Sequence, residues 1–431
     1  MTETLIDSPS LSELTVGNEA DLVRRLCHVL DLAARAVSAL APNGYTDAQE
    51  PDNNVIPEKI IAETALLLRA ASTVADRSEV RRRVESVARL LIPFARSERF
   101  ALAMCLRPAL SMDYAQAHAC LTQLGHPDPD FDQLIRQALR ADACDGKERV
   151  PHRVLEIEWI TRIWNGSPTR KAVPGAAYQS VLNRTMDLLH GSREDIYAFT
   201  HALMYLKDFN LQPLPLPRSK DLILAEAEAA LARCLDEQDY DLAGEVLLSW
   251  PLTKTAWSSG SRFAFDLLMK VEDRAGFLPA PVTRLERLRN LDGESKDRYF
   301  LATAYHTIYV MGLLCSSALQ FGNALPDAPS STIRGIGRTI LAFLDSESPA
   351  PHWREEVERM SEEEVDALAQ LLLNVALYRK VKERNYGSAW ELLKHADQWG
   401  LSSCPYASQT AQLLERLAQG APLFSPRLPQ P

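Results

Sequence analysis

The first place where this sequence could do chemistry is a stripe of histidine and tyrosine. Between Glu194 and Asp208, the residues Glu194, Tyr197, His201, Tyr205 and Asp208 fall within about 40° of one line at helical pitch. Ile196, Phe199, Leu203 and Leu206 occupy the opposite, apolar face. A solvated helix face ordinarily carries Lys, Glu and Gln, whereas this one carries an imidazole between two phenols. Such a stripe suits the wall of a polar cavity. His201 would then be a general base or a metal ligand, and Tyr197 and Tyr205 proton donors or positioning groups. The competing reading is a plain helix surface packed on a neighbour.

Two further segments carry chemistry-bearing residues at helical spacing. Lys296–Leu319 contains Tyr299, Tyr305, His306, Tyr309, Met311 and Cys315, and its second half is apolar nearly all round. That pattern predicts a central, buried helix. An imidazole there must be hydrogen-bonded or ligating, because burying it unsatisfied is costly. His306 is therefore either a catalytic or ligating group or a satisfied core histidine. In Val150–Trp164, His152, Glu156 and Trp159 are spaced by four and three and share a face. A His and a carboxylate one turn apart can chelate one metal ion, or can simply be an intrahelical contact. Two imidazoles and a carboxylate match a ligand set for iron, copper or zinc. The candidate ligands are thus His201, His306, Glu156 and His152, and the candidate cofactor is a divalent transition metal.

The elements that must position these residues read as helices from end to end. Amphipathic periodicity runs through Asn18–Leu40, Pro57–Val74, Ser78–Phe94, Tyr114–Leu124, Phe131–Ala141, Arg153–Trp164, Ala177–Leu189 and Arg193–Asp208. It continues through Lys220–Leu235, Tyr240–Ser249, Ser261–Ala275, Lys296–Leu319, Ser331–Leu344, Ser361–Glu383, Gly387–Trp399 and Ala407–Ala418. Proline-rich breakers separate many of them, as at His126–Pro129 and Pro326–Pro329. No segment shows alternating β-branched residues bounded by turns. The expected fold is all-α, an array of antiparallel helix pairs forming either an α/α toroid or an irregular α-solenoid. Gly44–Val55 reads as an exposed loop, and the acidic patch Asp128-Pro129-Asp130-Phe131-Asp132 as an N-cap preceding the helix Phe131–Ala141. A division near Asp145–Arg149 would give an N-terminal helical region, 1–145, and a C-terminal one, 146–420, carrying the candidate site. A proline-rich tail, 421–431, would follow.

Composition narrows the function classes. The 431 residues carry a net charge of −10, with 46% hydrophobic and 24% charged residues, which is a globular composition. The densest basic cluster, Arg81-Arg82-Arg83, is flanked by Glu79 and Glu85 and reads as a self-paired face rather than a nucleic-acid track. The seven cysteines are scattered without a CxxC pair, so neither a disulfide framework nor a cysteine-bound zinc site is expected. Met1–Leu14 lacks a basic start followed by an apolar run, and the apolar stretch Tyr305–Leu319 is too short and interrupted to span a bilayer. These features favour a cytoplasmic protein without a membrane or nucleic-acid partner. Phosphate-loop, HExxH, GxSxG, kinase and DDxxD patterns do not occur.

Several words of the sequence resemble an uncharacterised bacterial all-helical family associated with specialised-metabolite gene neighbourhoods. They are Phe94–Arg99 (FARSER), His126–Asp132 (HPDPDFD), Val150–Trp164 (VPHRVLEIEWITRIW), Tyr197–Phe209 (YAFTHALMYLKDF) and Tyr305–Leu314 (YHTIYVMGLL). The resemblance spans about residues 90–320. It implies a biosynthetic setting and carries over no active site. The expected function is a tailoring enzyme acting on a small molecule or peptide in a His/Tyr-lined cavity. The alternative is a non-catalytic helical scaffold or partner-binding protein.

Overall fold

The computed structural model describes residues 18–40, 45–47, 50–55, 57–141, 146–166, 172–321, 334–344 and 351–424. In chain order the first elements are α1 (Glu19–Ser38), β1 (Tyr45–Asp47), β2 (Glu50–Val55), α2 (Pro57–Ser72), α3 (Ser78–Ala95), α4 (Glu98–Leu106), α5 (Ser111–Gln123) and α6 (Pro129–Ala138). There follow α7 (Pro151–Trp164), α8 (Gly175–Gln179), α9 (Arg193–Lys207), α10 (Lys220–Asp236), α11 (Tyr240–Leu247), α12 (Ser249–Leu252), α13 (Ser259–Ala275), α14 (Leu285–Arg289) and α15 (Gly293–Phe321). The last are α16 (Ile336–Leu341), α17 (His352–Glu358), α18 (Glu362–Ala367), α19 (Ala369–Lys382), α20 (Tyr386–Gln398) and α21 (Pro405–Phe424). The fold is all-α.

Six of these helices close into a ring. α2 packs on α5, α5 on α7, α7 on α9, α9 on α11, α11 on α15, and α15 returns to α2. A solenoid keeps its contacts between neighbouring repeats; the α15–α2 contact joins distant parts of the chain and gives a toroid instead. Behind the ring, α3 backs α2, α6 backs α5, α8 backs α7, α10 and α13 back α11, and α1 backs α15. The ring helices run in one direction. On α7 and α9, Arg153 meets Tyr197 near the helix starts and Trp159 meets Asp208 further along both. On α2 and α15, Glu63 meets His306 and, further along both, Thr64 meets Tyr309. The outer helices carry the chain back between ring members, as short αα connections require.

Close backbone approach tightens the ring at two glycines. A Cβ at Gly312 of α15 would lie 2.7 Å from both Leu67 of α2 and Val29 of α1, and one at Gly244 of α11 would lie 2.6 Å from Val310 of α15. α15 is long and apolar enough to cross a membrane, but 89% of its most apolar window is buried inside the protein, as the sequence pattern predicts for a central helix. α16–α21 form a second group that leans on the ring assembly through α19 and α10. The ring takes α2 and α5 from one side of residue 145 and α7, α9, α11 and α15 from the other.

Four local expectations are corrected. Gly44–Val55 is not a simple loop: Tyr45–Asp47 pairs antiparallel with Glu50–Val55, Tyr45 opposite Val55, and the hairpin docks on α15. Its polar sequence lacks strand alternation because backbone pairing and docking hold it. The single helix expected over Ala177–Leu189 is only α8 and a 3-10 turn at Val181–Asn183. Beyond it α21 satisfies the backbone instead, with Gln409 bonding Leu188 N and Met186 O, and Tyr406 donating to Leu188 O. Within the described part of the helix expected at Ser331–Leu344 the helix is α16, because Gly335 is left-handed (φ 78°) and Asp366 holds the N–H groups of Gly335 and Gly337. The stretch read as a tail from 421 begins inside α21, whose packing on α19 and α20 carries the helix to Phe424. Asp128 caps α6 as expected, accepting from Phe131 N. The readings of Met1–Leu14, Cys144, Asp145, Pro326–Pro329 and the tail beyond Phe424 fall outside the described residues, among which the cysteines are free.

Candidate active site

Because the ring helices are parallel, side chains nearer their starts meet in one layer, the mouth, and side chains further along meet in a second, the floor. In α9 a carboxylate at Asp195 accepts from the Ser192 N–H and hydroxyl, fixing the helix start. That register turns Tyr197, His201 and Tyr205 into the ring. His201 Nδ1 lies 3.0 Å from the Tyr197 carbonyl oxygen and 3.4 Å from Glu245 Oε2 of α11. The Thr200 hydroxyl donates to the same Glu245 oxygen at 2.6 Å. With the proton on Nδ1, the assignment this network favours, Nε2 is an acceptor with no partner among the described residues. The Tyr197 ring lies over the imidazole, centroids 3.7 Å apart.

His306 of α15 enters the same layer from the other side. Its Nδ1 is 3.0 Å from Glu63 Oε2 of α2, and its Nε2 is 3.4 Å from Glu245 Oε1 and 3.5 Å from Asp241 Oδ1. Burial alone would lower the His306 pKa, but Glu63, Asp241 and Glu245 together lift it well above the ordinary value. The ring is therefore an imidazolium that donates from both nitrogens. Burial would raise Glu63, yet the His306 charge and hydrogen bond hold its carboxyl at about 2. Glu245 is likewise held far below the usual carboxylate range by His201 and His306 against its burial. Asp241 goes the other way: burial dominates and neighbouring Glu245 and Asp239 add to it, although His306 and the Thr307 hydroxyl oppose them. Arg193 ties the start of α9 to α11 through Asp239 at 2.7 Å and Asp241 at 3.1 Å.

On α7, Glu156 accepts from the Tyr205 hydroxyl at 2.6 Å and from Arg153 at 2.7 Å. Arg153 also donates to the Tyr197 hydroxyl oxygen at 3.0 Å. His152 sits at the rim, its ring 5.7 Å from Tyr197 and 6.4 Å from His201. Burial and then the charge of Arg153 pull its pKa down to about 4, so it is neutral near pH 7.

The structure thus brings His201 and His306 to one carboxylate, Glu245, with the Tyr197 ring over His201. His201 stands on α9 and His306 on α15, and α11 lies between those two helices in the ring and supplies the bridge. The four residues read as metal ligands are not gathered into one set. Both Glu156 oxygens are taken by Tyr205 and Arg153, and His306 is enclosed by carboxylates on the far side. Among the described residues no group of three or more His, Cys, Asp or Glu side chains is disposed to hold a metal ion. Sequence reasoning missed Glu63, Asp241 and Glu245. The signal for the last two was available: two carboxylates four apart on a short, otherwise apolar helix are rarely both solvated. Glu63 carried none, since Lys59–Glu63 reads as a surface pair.

An open cleft of about 970 Å³ lies elsewhere, between α1 and α3. Its charges are engaged with one another, Arg77 with Glu19 and Arg83 with Asp31.

Fold and site together define an α/α toroid with an ionised, imidazole-bearing mouth. The chain belongs to the family described as a domain of unknown function, DUF6895, whose model matches residues 27–316. That span contains every ring helix except the last turn of α15. No curated protein and no solved structure matches the chain.

Proposed function

We propose that this protein is an enzyme that moves protons on a small molecule held at the mouth of the ring, with His201 as general base and His306 as general acid. The carrying observation is that one carboxylate, Glu245, contacts both imidazoles while their surroundings differ. His306 is surrounded by acceptors and holds its proton; His201 has Nδ1 committed and Nε2 open. Two imidazoles in unlike surroundings, one enclosed by acceptors and one with a ring nitrogen open, can supply an acid and a base at one site. The resemblance to a family found near specialised-metabolite genes supports a bacterial, cytoplasmic tailoring step as the setting.

The test works on a mixture, with the substrate still unidentified. The purified protein is incubated in D2O with a fractionated small-molecule pool, and mass spectrometry follows exchange of carbon-bound hydrogen. Wild type is expected to label at least one component, and His201→Gln and His306→Gln to slow that labelling about 100-fold or more. No labelling by wild type, or equal labelling by the variants, overturns the reading.

A further inference from the structure

The contact that decides the substrate class is the one between Arg153 and Tyr197. Arg153 Nη2 donates to the Tyr197 phenol oxygen, so it occupies a lone pair and leaves the phenolic proton to be given elsewhere. Among the described residues nothing accepts that proton. Arg153 is itself held by Glu156, which Tyr205 anchors from deeper in the ring. The result is a fixed, polarised O–H donor beside the His201 imidazole, on the side of the mouth opposite His306. Fixed donors of this kind stabilise negative charge as it develops on an oxygen.

We propose that the substrate is a carbonyl compound with an α C–H, whose oxygen is held by the Tyr197 hydroxyl while His201 removes the α-proton. This rests on the acid–base reading above. In the step, the C–H bond breaks and its proton goes to His201 Nε2. The C–H electron pair becomes the C=C bond of an enolate, and the carbonyl π pair moves onto the oxygen that Tyr197 holds. His306 then gives a proton to the α-carbon, which restores the C=O bond and completes an exchange of the α-proton. His201 then loses its Nε2 proton to solvent and His306 regains one from solvent, so charge and electrons balance without an oxidant or reductant. Tyr197 and His201 touch the substrate; Arg153 and Glu156 are positioning residues that act through Tyr197.

The experiment uses 4-nitrophenol as an enolate mimic, because its anion presents a delocalised negative oxygen and its ionisation is read by absorbance. Wild type is expected to bind the phenolate and lower the apparent pKa of the bound phenol. Tyr197→Phe keeps the ring over His201 and the backbone carbonyl that orients it, and is expected to weaken phenolate binding at least tenfold. Arg153→Met should raise the bound phenol's apparent pKa relative to wild type, with Arg153→Lys intermediate. Phenolate binding unchanged in Tyr197→Phe, with the His306 NMR titration confirming an intact site, overturns the proposal, as does failure of wild type to bind the phenolate. The D2O experiment separates the two claims. Labelling confined to compounds without a carbonyl sinks the substrate class and leaves the acid–base reading standing, whereas absence of all labelling sinks both.

Discussion

The mouth and the floor of the ring are built from similar groups and end in opposite states. At the floor, Asp208 accepts two bonds from Arg69, at 2.8 and 2.7 Å, and a third from Trp159 Nε1 at 2.7 Å. Asp208 is completely buried and Arg69 nearly so. The chain pays for this placement in backbone strain, since Asp208, Phe209 and Asn210 are all left-handed, with φ of 45°, 48° and 62°. At the mouth, the carboxylates of Glu63, Asp241 and Glu245 also meet cations, but at longer range, and His306 is 26% exposed. His201 Nε2 and the Tyr197 proton are left over. A saturated charge pair can only hold structure; donors and acceptors in excess at a partly open edge can also hold a substrate. The difference between the layers is one of spare valence, not of composition.

Breaking the floor should have the largest effect. Arg69→Met leaves Asp208 charged and unpaired in the interior and is expected to cost about 3–5 kcal/mol, read as a fall in the urea midpoint. Arg69→Met with Asp208→Leu should recover much of that loss, because no buried charge then remains. By contrast, His201→Gln at the mouth should shift stability by no more than about 1 kcal/mol. A floor variant as mild as the mouth variant would show that the two layers do not differ in what they hold together.

The mouth pair should then reveal itself in pH dependence. Glu63 is depressed from an ordinary 4.5 to about 2, so its contribution is complete above 4.5 and is lost as pH falls toward 2. His306 is raised above 6.5, so its contribution is complete below 6.5 and fades as pH rises through its folded value. Wild-type stability measured against the His306→Gln variant should therefore show its greatest advantage between about pH 4.5 and 6.5 and a shrinking one above. An advantage that grows with alkalinity would show that His306 is neutral.

A smaller effect sharpens the comparison within the mouth itself. In an NMR titration His152 should stay neutral down to about pH 4, while His306 keeps its proton past neutrality. Arg153→Gln removes a neighbouring charge and should move the His152 midpoint upward; an unmoved midpoint would leave burial as the whole cause. The smallest expected effect lies outside both layers. Asp195→Ala removes the acceptor at the start of α9 and should cost about 1 kcal/mol, measured by thermal unfolding, with the His152 and His306 titrations unchanged.

Helix content, the central position of α15 and the stripe on α9 are all legible in the sequence, because periodic burial of apolar side chains is a local property that the order of residues encodes. Tyr197, His201 and His306 stand out for the same reason: polar rings on helices that must be buried. What only tertiary structure decided was who meets them. Closure of the ring by α15 on α2 brings Glu63 to His306 across 243 positions of chain, and α11 places Glu245 between two histidines more than 100 residues apart. By spacing, Glu156 is a partner for His152, one turn away, yet its oxygens go to Tyr205 and Arg153, because the parallel packing of α7 on α9 sets nearer donors against it. The broken segment after α8 escapes sequence reading on the same principle. Its backbone groups are satisfied by Gln409 and Tyr406, far away in the chain, and no local pattern records a bond whose other half lies elsewhere.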